Sequence, residues 1–128
     1  MRIVHGRAER VPSQQRSATV TGEAWFDQVL PATDGNTITT VFFAPAAHTH
    51  WHSHENGQIL QVLAGRGLIC SDGGNPRVIS AGDTVWVPAG ERHWHGAAPD
   101  SFMTHTAISL GETRWAEPVT ASEYRGDG

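Results

Sequence analysis

The chain carries a single cysteine in 128 residues. Cys70 therefore has no internal disulfide partner and cannot build a thiolate metal cluster alone. Set in "GLICSD", it reads as a small buried hydrophobe. No apolar run approaches the ~20 residues of a membrane-spanning helix. The opening "MRIVHGRAERVPSQQR" also lacks an apolar signal core. A cytoplasmic protein away from the membrane is the expectation. Basic charge is short as well: the net charge is −4, whereas nucleic acid and anionic membranes select basic faces. Neither is expected as a partner. Helical periods of ten residues, internal repeats, low-complexity tracts and long linkers are all missing, which disfavours α/β architecture and a divided chain.

The length suits one domain over residues 1–128. A domain of this size buries roughly two-thirds of its unfolded surface, so it needs neither a disulfide nor a structural metal to fold. Fourteen glycines and seven prolines punctuate short β-prone runs. "ATVTGEAWFDQVL" leads through the turn "PATDGN" to "TITTVFFA". After a histidine-rich stretch come "QILQVLAG" and "RGLIC", the hairpin loop "SDGGNP", and then "RVISA", "TVWVPAG", "RHWHGAA" and "FMTHTAISL". Strands this short and this regular predict an all-β barrel, with a core over about residues 36–110 and a loose N-terminal arm over residues 1–17. Only "TASEYR" reads as helix, with Thr120 as N-cap and Glu123 three residues on.

Histidine is the informative excess: seven of the eight lie between positions 48 and 105. The run "AHTHWHSHENGQ" spaces four of them at every second residue, His48, His50, His52 and His54. On a strand all four nominally share one face, with neighbours roughly 6.5–7 Å apart. Two adjacent imidazoles can converge on one ion through bonds of about 2.1 Å; four cannot. The residues downstream decide which pair converges.

The spacing resembles the cupin superfamily, whose two motifs are G-x5-H-x-H-x3,4-E-x6-G and G-x5-P-x-G-x2-H-x3-N. Anchored on His52 and His54, the first reads "HSHENGQILQVLAG", with Gln58 at the acid position and Gly65 closing it. Anchored one pair earlier, the closing position falls on Leu63, so Gly65 settles the register. The second reads "GDTVWVPAGERH", with Gly82, Pro88, Gly90 and His93 in place. The resemblance implies a double-stranded β-helix (jelly-roll) barrel with a divalent metal at its mouth, held by His52, His54, Gln58 and His93. His48 and His50 are then expected to be rim or surface histidines bordering the mouth rather than ligands, and His5 to be a surface histidine. Two departures concern the backbone: Ala46 stands for the opening glycine and Ala97 for the final asparagine.

The third departure changes the chemistry. With Gln58 in place of glutamate, three neutral imidazoles and an amide leave the +2 charge of an ion uncompensated. Such a site attracts anionic groups and disfavours a higher oxidation state, which favours Lewis-acid over redox work. An amide oxygen with imidazoles suits Mn²⁺, Fe²⁺, Ni²⁺ or Zn²⁺.

His95 lies two residues beyond His93 and shares its face. Trp51 and Trp94 alternate with inward histidines and should face outward, to be covered by the N-terminal arm or by a second subunit of a homodimer. His105 in "FMTHTAISL" reads either as a hydrogen-bonded core residue or as a general base. In finer detail, "WHSHENGQ", "GDTVWVPAGERHWHGAAP", "MTHTAI" and "VTASEYR" resemble the small manganese cupins that include bacterial hydroxynitrile lyases. That resemblance implies Mn²⁺, and a substrate pocket lined by Thr49, His95 and His105 and shaped by Thr39, Val41 and Ser109. Val41, Leu60, Val62 and Ile108 are the expected apolar cavity residues.

These features favour a metal-dependent lyase for a small carbonyl or hydroxy compound, with cyanohydrin cleavage and synthesis as the leading reaction and His105 or His95 moving the proton. A quercetinase-like or diketone-cleaving dioxygenase uses the same three histidines, usually with a carboxylate at position 58. A non-catalytic small-molecule binder and an isomerase or cyclase complete the alternatives.

Overall fold

The computed structural model of the chain describes residues 1–6 and 12–127. Part of the expected N-terminal arm, residues 7–11, lies outside the described residues. Among the described residues, twelve strands precede one short helix. The strands are β1 (Gln14–Arg16), β2 (Val20–Thr21), β3 (Ala24–Thr33), β4 (Asn36–Phe43), β5 (His48–Thr49) and β6 (His52–His54), then β7 (Gln58–Ser71), β8 (Arg77–Ser80), β9 (Thr84–Val87), β10 (His93–Ala97), β11 (Met103–Ser109) and β12 (Thr113–Trp115). Helix α1 is Ala121–Arg125. The all-β expectation holds: every pairing is antiparallel and the sheet nearly closes on itself.

The order β1-β3-β4-β11-β7-β10-β5-β2 curls around a common interior, with β6, β8, β9 and β12 attached alongside. β3 and β4 form a hairpin closed by Asp34 and Gly35, both at positive φ (51° and 82°). That two-residue turn matches the twist of the flanking strands, which is why "DG" sits there. The sequence suggests two strands on either side of Gly65, but β7 is one strand of fourteen residues. Its first half pairs with β11 and β9, its second with β10 and β8. Gly65 is where it bends from one face of the barrel to the other, at φ +77° and with the Phe102 carbonyl oxygen in the space a Cβ would need. No other residue fits there.

The main core inside the barrel is built from Val20, Ala24, Val41, Phe43, Ala47, Val62, Ile79, Ala97 and Met103. A second cluster lies on the outside and corrects one expectation. Trp51 (4% exposed) and Trp94 (0%) do face away from the interior, but they are already covered by another part of the same chain. The cover is the C-terminal segment, through Val119 and Tyr124, with Cys70 and Leu68 beside them. Cys70 is the buried small hydrophobe expected of it. The capping box predicted at Thr120 and Glu123 starts α1, and the Tyr124 hydroxyl donates to the carbonyl of Ala97 at 2.7 Å. This cap seals the indoles within one chain, so they give no reason to invoke a dimer.

The N-terminal arm is also less loose than its composition suggests. Gln14–Arg16 add an edge strand to β3, in the register Gln14↔Phe26 to Arg16↔Ala24. Among the described residues, no helix is long and apolar enough to cross a membrane.

Candidate metal centre

The interior holds a cavity of about 210 Å³, small beside the few hundred Å³ of most ligand sites. At one end stand five buried histidines: His52 and His54 on β6, His93 and His95 on β10, and His105 on β11. The pairing His93↔His52 sets β6 and β10 side by side, and Gln58 at the start of β7 completes the group. All four sequence-predicted ligands therefore meet in one place, and His95 joins them. Ring centroids are 4.3 Å apart for His52 and His93, 5.0 Å for His52 and His54, and 5.1 Å for His52 and His95. The trio whose candidate ligand atoms lie mutually closest, all within 4.8 Å, is His52, His93 and His95.

Hydrogen bonding on the far side of each ring fixes which nitrogen is free. His52 Nδ1 donates to the carbonyl of His50 (2.9 Å), and His93 Nδ1 to that of Glu91 (2.9 Å). His54 Nδ1 and Thr113 Oγ1 share a hydrogen bond (2.9 Å) that orients the ring. A neutral imidazole has one proton, so the Nε2 atoms of His52 and His93 are left as lone pairs aimed at the cluster, the arrangement found behind metal-bound histidines. Gln58 is set in the same way: its Nε2 donates to Ser109 Oγ at 3.1 Å, which turns Oε1 toward His93 Nε2, also at 3.1 Å. A neutral His93 thus has one proton for two acceptors, Glu91 O and Gln58 Oε1. The Nε2 atoms of His54 and His95 are buried and lack any partner. Lone pairs converging in a buried space, uncompensated by donors, are what a divalent cation satisfies. The donor set fits a metal.

Protonation is resisted throughout the cluster. Burial holds His52 and His95 well below the usual imidazole range, and the neighbouring imidazoles push in the same direction. His54 is pushed down to about 4, by burial first and then by His93; His105 is also brought to about 4, by burial. Burial lowers His93 too. The rings are thus neutral at neutral pH, as ligation and proton abstraction both require.

Next to the cluster, His105 Nε2 and His95 Nδ1 lie 3.0 Å apart and share one hydrogen bond. Both rings line the cavity, and Phe43 packs against both at 5.3 and 6.0 Å. Thr49 also lines it; its hydroxyl accepts from the His95 backbone N–H at 3.2 Å and ties β5 to β10. Thr39, Val41 and Ser109 are wall residues, as expected.

Other expectations are overturned. His48 and His50 do not border the cavity. His48 is buried on the outside, stacked on Tyr124 at 4.5 Å, with Nδ1 donating to Ala46 O. Strand parity fails because the chain leaves β5 after Thr49 and re-enters pairing at His52. At that break, His50 N–H is tied to Thr19 O and Trp51 N–H to Glu117 O. Thr49 and His52 both face inward, three residues apart, which simple alternation forbids. Ile108 points away from the cavity, since β11 turns His105, Ala107 and Ser109 inward. Leu60 and Val62 are buried but contribute nothing to the cavity wall.

Sequence reasoning missed the wall contributed by β1, β3 and β12. Trp115 lies over His52 at 4.5 Å between centroids, and Thr113 orients His54. Phe26 and Gln28 come from β3, and Arg16 from β1. The spacing "TRW" after the last long strand is readable once His54 is known to pair with Thr113, but that pairing spans 59 residues.

A curled antiparallel barrel enclosing a buried cluster of imidazoles defines a metal-binding β-barrel class. The chain belongs to the cupin family: residues 39–106 match the family described as "Cupin domain". It is 42% identical over 111 residues to the (R)-mandelonitrile lyase of Granulicella tundricola, an alignment covering 82% of this chain and 85% of that protein. Among solved structures, a cupin-like protein of Thermotoga maritima superposes with a TM-score of 0.84 at 35% identity, covering 92% of this chain and 96% of the other. The polyketide cyclase RemF of Streptomyces resistomycificus shares the fold, with a TM-score of 0.72 at 21% identity over 99% and 91% of the two chains.

Proposed function

We propose that the chain is a metal-dependent lyase that cleaves and forms small cyanohydrins. His52, His54, His93 and Gln58 are the proposed ligands, with Mn²⁺ the proposed ion and His95 closing the site from the cavity side. When bound, such an ion supplies Lewis acidity toward a hydroxyl, carbonyl or cyanide group. The observation that carries the reading is the buried His95–His105 pair, set against the ligand cluster and open to the same cavity. The 42% identity to a mandelonitrile lyase supports the cyanohydrin as the reacting group.

The proton work falls to that pair. His95 Nε2 and His105 Nδ1 are both buried without partners, and each ring is neutral. With one proton shared between the rings, one of these two outer nitrogens carries the remaining proton and the other a lone pair. That lone pair takes the substrate hydroxyl proton, and the hydrogen bond between the rings spreads the charge that results. As the carbonyl forms, the bond to the nitrile carbon breaks and its electron pair leaves on cyanide. The imidazolium then returns the proton to cyanide, giving hydrogen cyanide and the aldehyde. Synthesis runs the same steps in reverse. Thr49 holds the His95 backbone in place during both transfers.

The Mn²⁺-loaded protein is expected to release benzaldehyde and cyanide from mandelonitrile, and His105→Ala to lose at least about 100-fold in kcat, the usual scale of acid–base catalysis. The reading is overturned if the loaded protein neither cleaves mandelonitrile nor exchanges the α-protons of carbonyl compounds. Substrate-dependent oxygen uptake by the Fe²⁺ form would transfer the chain to the dioxygenase class.

A further inference from the structure

Among the described residues, one formally charged side chain lines the cavity, and it is not among the histidines. Arg16 reaches the wall from β1, at the opposite end of the strand order from the β5–β2 edge. Its guanidinium carbon stands 4.4 Å from the centroid of Phe26, so the aromatic face fixes its position. Among the described residues, no aspartate or glutamate lines the cavity and Arg16 has no ion pair. Half-buried as it is, it loses part of its hydration without a carboxylate in return. A guanidinium left in that condition presents its N–H fork to whatever enters.

The same cavity presents a different group as well. Neutral imidazole and amide donors face inward, and none of them carries a negative charge to repel an anion. The rest of the wall is aromatic and small-polar, with Phe26, Phe43, Trp115, Thr37 and Thr39. A compound that fits this lining has an acidic head for Arg16 and a reacting carbon near the His95–His105 pair. The volume of about 210 Å³ limits it to one ring or a short chain between them.

We infer that the compound handled in this cavity is a carboxylate-bearing carbonyl or hydroxy compound, an oxo acid and its cyanohydrin, with the carboxylate held by Arg16. The inference deepens the lyase reading and rests on it for the reacting group, while the Arg16 contact itself is independent of the reaction. A lysine would not serve equally, because a single ammonium cannot match both carboxylate oxygens.

The test is calorimetric titration of the Mn²⁺-loaded protein with benzoylformate and with its methyl ester, a neutral compound of the same shape. The acid is expected to bind at least about tenfold more tightly than the ester, the scale of one charge-assisted pair. Arg16→Met should bring that ratio close to one, and Arg16→Lys should leave it in between. An undiminished ratio in both variants overturns the inference, since the carboxylate then binds elsewhere; so does a parent protein that prefers the ester. Cyanide release from mandelonitrile by the parent protein separates the two readings. With release but no acid preference, the inference falls and the lyase stands. With an Arg16-dependent preference and no release from any cyanohydrin, the carboxylate site stands and the lyase falls.

Discussion

His48–Thr49 and His52–His54 are two halves of one histidine run with nearly the same texture and opposite destinations. The second half sends both imidazoles inward, where they meet His93 and Gln58. The first half turns Thr49 inward and His48 outward, against Tyr124. What differs is the partner strand. β6 is held between β10 and β12, whereas β5 is held between β10 and β2. A residue's face is set by the ladder that holds it, and the ladder changes at His50–Trp51. Histidine by itself says nothing about which side of a barrel it serves.

The contrast breaks most visibly at the ligands. His54→Ala is expected to weaken Mn²⁺ binding by more than about 100-fold, because a lost ligand costs more than the 10–100-fold of a lost supporting contact. His48→Ala should keep full metal content by elemental analysis while losing about 2 kcal/mol of stability in denaturant, through the emptied stack on Tyr124. Equal metal loss in both variants would erase the distinction.

A comparable effect is expected from pH. His105 is fully buried with its pKa at about 4, below the value of about 6.5 it has unfolded. Between those values the unfolded chain holds the proton and the folded chain does not, so stability rises with pH across the window. Metal-free protein should therefore lose about 3 kcal/mol from this group as pH falls from 6.5 to 4. His105→Gln should flatten that part of the curve, as measured by urea midpoints at several pH values. An unchanged slope would mean that His105 is not the group responsible.

Thr113→Val sharpens the comparison at the next level down, since it leaves every ligand present and removes the hydroxyl behind His54. Metal affinity should fall about 10–100-fold with the fold intact. The smallest effect belongs to Ala46, which holds φ +69° where the family pattern has glycine. Ala46→Gly should raise stability by about 0.5–1 kcal/mol, because the left-handed region costs an alanine more than a glycine. A thermal midpoint that does not rise would show that the strain is absorbed elsewhere.

Much of this was legible in the sequence because motif glycines have local physical causes. Gly65 fixed the ligand register on paper, and in the barrel it is the bend where a side chain has no room. The strand pattern, the "DG" hairpin and the Thr120 capping box are likewise decided within a few residues. What could not be read depends on pairing across long separations. The exit of His48 is set by β2 and the C-terminal cap, the orientation of His54 by a residue 59 positions away, and the entry of Arg16 by an edge strand formed with β3. The inward face of β11 was also hidden: odd and even positions of "MTHTAIS" are equally plausible until the neighbouring strands choose.

The fourteen-residue strand β7 bears on how the chain folds. It pairs with four strands, β8 locally and others far off in sequence, with Gln58 against Ser109 and Cys70 against Trp94. The converging side chains come from three separated stretches, His52 to Gln58, His93 to His95, and His105. Contacts between those stretches form late, after the entropy of closing large loops has been overcome. Of these groups the unfolded chain offers a metal ion only the two local His-x-His pairs, so the rest of its binding energy accrues to the finished barrel, as mass action on the native state.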